Sequence, residues 1–397
     1  METQLTQHIT YQFRAYPNKE QQNLLNQWLG CGRVIWNKML DFNKTKYTEE
    51  KKFAFHTEMA NKLPDMKNEF EWLSSAPSQV LQQKCIDLSG AIGKTFKSGF
   101  GFPKFKSKHT DESGIRFPQG WHISGNRINL PKMKGLKFKQ HRDIKGKMSS
   151  LTLKKDKCGD YWITILCSIP LPDRLTDIQP ENIIGIDVGL KEFAVTSNGE
   201  IIKNPKYLRT SEKKLKRKQQ SLSRKVKGSN NRNKARIVVA RQHKQIRNQR
   251  LDFINKFVSL ITKNYDIICT EDLNITGMKK NHCLAKSISD ASWGLMYSKL
   301  AQKCHSLGKI LLKVDQFAPT SKTCSCCGSV QSMPLQVRTF ECKECGSVLD
   351  RDFNAAINIR DWAIKKYMAG TAKINACGDM ISVMESAQEA TESLVRW

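Results

Sequence analysis

Three carboxylates in this chain stand where apolar or capped segments end, a setting that favours metal chemistry. The stretch Asn182-Ile-Ile-Gly-Ile-Asp187-Val-Gly189 carries an apolar run, Ile183, Ile184 and Ile186, expected of a strand buried on both faces. A glycine turn and a second strand to Val195 follow. An ionised carboxylate at such a strand end, Asp187, is costly to bury unless it is paired or holds a cation; its other use is to cap a turn with Gly189. A second apolar strand, from Tyr265, ends in Glu271-Asp-Leu-Asn274, and Asp350-Arg-Asp352 stands where a helix begins. Three acids so placed suit a phosphodiester nuclease, in which two divalent ions about 4 Å apart activate water and stabilise the leaving oxygen. Asp350 and Asp352 compete for the third place, because Asp350 can instead cap the helix. Asp315, after a strand over 309–314, reads as a turn or sheet-edge residue.

The cysteines make a second pattern. Cys324-Ser-Cys326-Cys327-Gly and Cys342-Lys-Glu-Cys345-Gly are C-x-x-C knuckles, each followed by glycine and separated by a short hairpin's length of chain. Four thiolates suit a tetrahedral structural Zn²⁺ with no open position for chemistry. Cys326 is the extra thiol, and Cys324 is the better partner of Cys327 by spacing. A redox dithiol would need a thioredoxin-like unit around it. The total of thirteen cysteines is odd, and several, such as Cys167 and Cys269, lie alone in apolar segments, which fits reduced thiols and not a disulfide framework.

Positioning these groups takes more than one domain in 397 residues. The net charge of +29 and pI of about 9.7 point to a polyanionic partner, most simply nucleic acid; solubility alone needs about 2–8 charges on a small domain. No stretch is long and apolar enough to span a bilayer, and the N-terminus lacks a signal-peptide pattern, so a cytoplasmic protein without a membrane partner is expected.

Along the chain, residues 8–16 alternate as a strand. Pro17 and Asn18 end it and start a helix with Leu24, Leu25, Trp28 and Leu29 on one face. A second helix is expected from about Ser78 to Phe96, with Leu81, Cys85, Leu88 and Ile92 inward and Gln79, Gln82, Gln83 and Lys84 on the polar side. Glutamine can read adenine edges, although a solvated face is the plainer reading. Residues 100–108 interleave aromatics with lysines, Lys104 and Lys106 among them, a composition for phosphates and stacked bases. Short strands near 115–118, 127–130, 135–138, 148–154 and 161–169 predict a small β-barrel completed by the N-terminal strand. The acidic linker 172–181 marks a boundary. Residues 203–250, with Glu212 as the only acid, predict two basic helices around a Gly-Ser-Asn-Asn loop. Lys213, Lys214, Arg217, Arg224, Arg232, Arg241, Arg247 and Arg250 are their candidates for phosphate contact. The tail beyond about Gly370 is expected to fray.

Gly-Ile-Asp187-x-Gly, Glu271-Asp-Leu-Asn and Asp-Arg-Asp352-x-Asn-Ala-Ala-x-Asn-Ile resemble the three split motifs of a RuvC nuclease. Their order and context, over roughly residues 8 to 378, resemble TnpB, the RNA-guided nuclease of small bacterial and archaeal transposons that is related to type V CRISPR effectors. The resemblance implies an α/β RNase H-like (RuvC) nuclease domain with an inserted zinc ribbon, plus an N-terminal β-barrel (wedge) carrying an inserted helical recognition lobe. The corresponding ranges are 1–16 and 113–180 for the wedge, 17–112 for the lobe, 181–320 and 347–370 for the nuclease domain, 321–346 for the ribbon and 371–397 for a disordered tail.

The activity it implies is Mg²⁺-dependent cleavage of double-stranded target DNA next to a short flanking motif, directed by a guide RNA and located in the cytoplasm, at the nucleoid. The family's D-x-N-A-A pattern puts the third ligand of the two Mg²⁺ at Asp352, beside Asp187 and Glu271, with Asn354 and Asn358 as supports. It also favours Gln79, Gln82, Gln83 and Lys84 as readers of the flanking motif. A miniature CRISPR effector, a nuclease-inactive RNA-guided repressor and a guide-free RuvC nuclease are the other readings, and a monomer is compatible with all of them.

Overall fold

Alternation builds the first sheet. In β1 (Thr6–Tyr16), Tyr11, Phe13 and Ala15 turn inward while Gln12 and Arg14 stay out, the two-residue period of a half-buried strand. The computed structural model describes residues 6–97, 100–108, 114–173, 175–334 and 336–369, so the expected fraying tail lies outside the described residues. The chain divides into two compact units, 1–170 and 171–397, with the division just before the acidic linker.

In the first unit, helices α1 (Lys19–Glu50), α2 (His56–Asn61), α3 (Leu63–Glu69) and α4 (Ser78–Thr95) lie in sequence between β1 and the next strand. Asn18 and Gln21 close a capping box at the start of α1, each side chain accepting from the other's backbone N–H at 2.8 and 3.0 Å. Strands β2 (Gly114–Phe117), β3 (His122–Ser124), β4 (Arg127–Leu130), β5 (Met133–Lys139), β6 (Lys147–Lys155) and β7 (Tyr161–Pro170) join β1 in one antiparallel sheet ordered β2-β6-β7-β1-β5-β4-β3. The expected barrel is therefore, in hydrogen bonding, a seven-stranded sheet with β2 and β3 at its edges. The three-residue β3 was too short to be expected. Helices and sheet share one core, in which Trp28 packs edge-on against Phe117.

The second unit is built on β8 (Ile183–Val188), β9 (Glu192–Thr196), β10 (Ile201–Lys203), α5 (Tyr207–Ser223), α6 (Asn230–Asn264) and β11 (Ile267–Glu271). Then come α7 (Ile275–Met278), α8 (His282–Ala291), α9 (Trp293–Leu307), β12 (Ile310–Val314), β13 (Thr339–Glu341), β14 (Val348–Asp350) and α10 (Arg351–Met368). Its sheet runs β10-β9-β8-β11-β12, with β8, β11 and β12 parallel and the other pairs antiparallel. Parallel strands need both faces covered. One face packs a core that includes residues of α6 and α9, the other a core that includes Ile359 and Ala363 of α10. Ser229 caps α6, so the asparagines expected in the loop already belong to the helix. Among the described residues no helix is long and apolar enough to cross a membrane.

One glycine sets how near α10 can come. A Cβ added at Gly185 would lie 2.2 Å from the Ala356 carbonyl oxygen and 2.5 Å from the Arg360 nitrogen. Both neighbours are main chain, so the only relief is to move the helix. Overpacking ordinarily costs about 1–3 kcal/mol, and Gly185→Ala should fall at or beyond the upper end. Thermal denaturation should show a drop of several degrees; an unchanged Tm would mean that the sheet and α10 are not locked together here.

Candidate active site and metal centre

The strands and α10 bring three carboxylates to one end of the sheet. Asp187 lies at the carboxyl end of β8 and Glu271 is the last residue of β11, which is where open α/β sheets commonly place their sites. Asp352 sits in the first turn of α10, the helix held against Gly185. Burial raises the Asp187 carboxyl well above its ordinary value; the Glu271 and Asp352 charges raise it further, while the Val188 backbone and Arg351 pull it down. Asp187 thus has both other carboxylates as electrostatic neighbours.

Each of the other two has a specific contact. Thr320 Oγ1 donates to Glu271 Oε1 at 2.6 Å. Arg338, 53 % exposed at its side chain, puts Nη1 3.3 Å from Asp352 Oδ2. Asp350 acts on the helix instead. Its side chain accepts from the Asp352 and Phe353 backbone N–H groups at 2.9 and 3.1 Å and caps α10. Asp315 closes a local turn by accepting from Phe317 N at 2.8 Å. The donor set is all carboxylate oxygen with excess negative charge, which fits Mg²⁺ and not a thiophilic ion.

Asn354 and Asn358, expected to support the carboxylates, face a different neighbour. Asn354 accepts from Ser325 N at 2.9 Å and donates to the Thr323 carbonyl at 2.8 Å; Asn358 donates to the Thr320 and Thr323 carbonyls. They bind α10 to the chain leading into the first cysteine knuckle. Arg351, nearly buried, donates to the Pro334 carbonyl at 3.0 Å and ties in the connection between the knuckles.

The sulfur atoms of Cys324, Cys327, Cys342 and Cys345 all lie within 4.8 Å of one another. Cys324–Cys345 and Cys327–Cys342 are 3.7 and 3.5 Å apart. A tetrahedron with Zn–S bonds of about 2.3 Å has sulfurs about 3.8 Å apart, so the cluster fits Zn²⁺. The two knuckles repeat one geometry: Gly328 N donates to the Cys324 carbonyl at 2.9 Å and Gly346 N to that of Cys342 at 3.0 Å. Both glycines have positive φ, 78° and 71°, which favours a residue without Cβ. The Ser329 hydroxyl, followed by the Cys345 backbone N–H, lowers the Cys342 thiol and favours the thiolate that a metal needs. Cys326 is exposed and stands outside the cluster.

The nucleic-acid candidates divide by placement. Lys213, Arg217, Arg241 and Arg247 are exposed along α5 and α6. Arg250 is not on that surface. Its guanidinium donates to Asp290 Oδ1 through Nη2 at 2.7 Å and Nε at 3.1 Å, with both side chains almost wholly buried. Asp290 also accepts from the Leu208 and Arg209 backbone N–H groups, serving as a remote cap for α5, which has no local one. In the first unit Gln82 is exposed, and Gln79 and Gln83 are half-buried; Gln79 accepts from Gln119 N at 3.5 Å. Lys84 packs its stem against Gly32 and holds Asp87 at 2.9 Å. Lys104 is exposed, while Lys106 places its ammonium 3.4 Å from the centroid of the Trp36 ring. Arg338, Thr320 and Asp290 were not expected from the sequence. Arg338 had one signal available, as a basic residue between the two cysteine pairs and close in chain to Asp352.

Comparison with known proteins finds relatives along nearly the whole chain. Family profiles match residues 166–282 ("Probable transposase"), 293–359 ("Cas12f1-like, TNB domain") and 6–52 ("Helix-turn-helix domain"). Over the last of these the structure has a strand and one 32-residue helix. The "Putative RNA-guided DNA endonuclease" of Streptomyces pristinaespiralis is 32% identical over 394 residues, covering 97% of this chain and 95% of that protein. The "Putative RNA-guided DNA endonuclease InsQ" of Escherichia coli (strain K12) is 30% identical, covering 97% and 98%. The Cas12f1 structure solved as a complex with sgRNA and target DNA matches the fold with a TM-score of 0.50 at 18% identity, over 86% of this chain and 83% of that one.

Two measurements follow from the geometry. Cys342→Ser should lose about one zinc per chain and the protease resistance of residues 320–350, because small thiolate modules fold with their metal; wild-type protein without bound zinc contradicts the assignment. The second concerns Asp187. A folded pKa above the unfolded value of about 3.9 means that ionisation opposes folding. Stability then falls as pH rises from about 4 through the folded value. In magnesium-free buffer, Asp187→Asn should therefore raise Tm at pH 7 and leave it unchanged below about pH 4. A Tm no higher than wild type at pH 7 would contradict the crowding of the three acids.

Proposed function

The chain belongs to the TnpB family of transposon-encoded RNA-guided nucleases, and from that membership we propose that it is an RNA-guided DNA endonuclease that hydrolyses target DNA at Asp187, Glu271 and Asp352. The observation that supports this most is the meeting of three carboxylates, 84 and 81 residues apart in sequence, as electrostatic neighbours at one end of a mixed sheet. Residues 181–320 and 347–370 are then the RNase H-like (RuvC) domain, 321–346 a zinc ribbon, and the N-terminal half the wedge (1–16 and 113–180) and helical recognition lobe (17–112).

The partners are a guide RNA and double-stranded DNA. Base pairing supplies sequence specificity, and the protein reads heteroduplex shape and a short flanking motif. Lys213, Arg217, Arg241 and Arg247 would neutralise phosphates, which positions the polymer without reading bases. Gln79, Gln82 and Gln83 would meet base edges.

At the site, Asp187, Glu271 and Asp352 would hold two Mg²⁺, which supply a water acidic enough to attack near neutral pH and stabilise the leaving oxygen. The chain's own groups set the stage. Thr320 fixes one oxygen of Glu271. The Asp350 cap fixes the helix turn that carries Asp352. Arg338 offsets the charge of Asp352, and its exposed guanidinium can turn to a phosphate oxygen. The four cysteines would hold Zn²⁺ as a closed structural site.

Asp187→Ala, Glu271→Ala and Asp352→Ala should each reduce cleavage in Mg²⁺ to background while leaving RNA and target affinity within a few-fold. Binding is spread over many phosphate contacts, and groups acting as a unit lose function together. The triple variant should match any single one. Asp350→Ala should keep substantial activity and lose about 1 kcal/mol of stability with its cap. Cleavage and binding assays on the same preparations decide it: activity surviving in Asp187→Ala sinks the nuclease assignment, and an active Asp352→Ala with an inactive Asp350→Ala reassigns the third ligand.

A further inference from the structure

An aromatic groove in the first unit takes no part in the chemistry of the three acids. It is lined by the last turns of α1 and α4 and by the segments that follow them, and its volume of about 510 Å³ lies in the range of small-ligand sites. Tyr47, Phe53, Phe96 and Phe102 supply its rings. Tyr47 and Phe53 stack almost parallel, with centroids 4.6 Å apart. Phe96 and Phe102 approach Phe53 at 5.9 and 5.8 Å. Phe53 and Phe102 pack on the core of the unit, whereas Tyr47 is 45% and Phe96 69% exposed. Grouped rings left open to water mark a binding surface.

The segment that brings Phe102 is pinned in place. Trp36 Nε1 donates to the Lys104 carbonyl at 3.0 Å, and the Asn37 side chain bonds both main-chain groups of Lys106, at 2.8 and 2.9 Å. The surroundings are basic. Residues 88–110 carry Lys94, Lys97, Lys104, Lys106 and Lys108 and no acid. Residues 44–52 set Lys44, Lys46, Lys51 and Lys52 against Glu49 and Glu50, and Lys46 takes Glu50 together with Glu58. Ammonium groups stand over neighbouring rings, Lys44 at 4.3 Å from the Phe105 centroid and Lys94 at 5.7 Å from that of Phe100. Open ring faces among cations suit a single strand, whose bases stack while its phosphates are neutralised. A duplex keeps its base faces inside its own stack. An apolar peptide or a second copy of the chain would have to desolvate the lysine heads.

We propose that this groove takes an unpaired nucleobase of a single-stranded nucleic acid, stacked on Tyr47 and Phe96, with Lys94 and Lys97 meeting the flanking phosphates. Every base has such a face, so the groove holds a strand without selecting its sequence. RNA and DNA strands share this chemistry. The site stands apart from the three acids, because the first unit would hold the strand whether or not the second cuts one.

The test uses the full-length chain with oligouridylate and oligothymidylate, each carrying 5-iodouracil, as probes. Irradiation followed by mass spectrometry should place cross-links at Tyr47, Phe96 or Phe102, and the probe that reacts there tells RNA from DNA as the source. Tyr47→Ala and Phe96→Ala should each weaken single-strand binding by about five- to a hundredfold, while Phe96→Trp keeps it. The slope of log affinity against log salt should stay unchanged in these variants, because no phosphate contact is lost. Lys94→Gln with Lys97→Gln should instead lower that slope by about 0.7 for each contact. Duplex affinity should not respond to the aromatic variants. Cross-links that map only elsewhere overturn the proposal, as does wild-type single-strand affinity in both alanine variants. An equal loss on duplex overturns it as well, and so does a loss of self-association with oligonucleotide affinity unchanged, which would give the groove to a second copy. Asp187→Ala should bind the probes like wild type, which keeps this result separate from the nuclease reading.

Discussion

Like charges forced together are the constraint on which the second unit depends. Asp187, Glu271 and Asp352 come from a strand, a second strand and a helix that are far apart in sequence, and no acid gains by being near the others in the absence of a cation. The fold must supply the holding force. Much of it comes from the pairing of β8, β11 and β12 and from the seating of α10 on Gly185, where main chain meets main chain with no room for a side chain. Asp187 is thus held where its charge is disfavoured, by a framework that leaves α10 no room to move away.

The cysteine cluster belongs to the same framework. Its first knuckle is bonded to Asn354 and Asn358 of α10, and the connection between the knuckles is bonded to Arg351. Arg338, which reaches Asp352, comes from that connection as well. Disorder in the cysteine module would therefore be felt in the first turn of α10, where Asp352 sits. This coupling is local and physical: hydrogen bonds between two short segments and one helix.

Much of this could be read from residue order. The strand ends with their acids, the cysteine spacing, the capping role of Asp350 and the basic helix pair are local patterns, and local patterns survive folding. What escaped depends on partners distant in the chain. Arg250 looks like its exposed neighbours Arg241 and Arg247 until α8 supplies Asp290 and buries it. Asn354 and Asn358 lie on the helix of Asp352, yet their turn of the helix faces the knuckle and not the carboxylates. Lys84 lies on the polar face of α4, yet its stem packs against Gly32 of α1 and its ammonium goes to Asp87. Thr320 carries no signature at all and Arg338 only its charge between the cysteine pairs, since a threonine or an arginine acquires its role from what the fold places beside it.

The basic hairpin is closed at its base by a buried ion pair and tied at its exposed tip by Arg232, whose guanidinium donates to the Leu222 and Lys225 carbonyls. Asp290 and Arg250 lock the start of α5 to α6, while residues 224–229 at the far end turn through a glycine with positive φ in exposed chain. Exposed loop tips are where insertions are best tolerated, because the base stays anchored by buried contacts. The tip is therefore the place to graft a tag, a tether or a second effector while the sheet that carries the acids stays as it is.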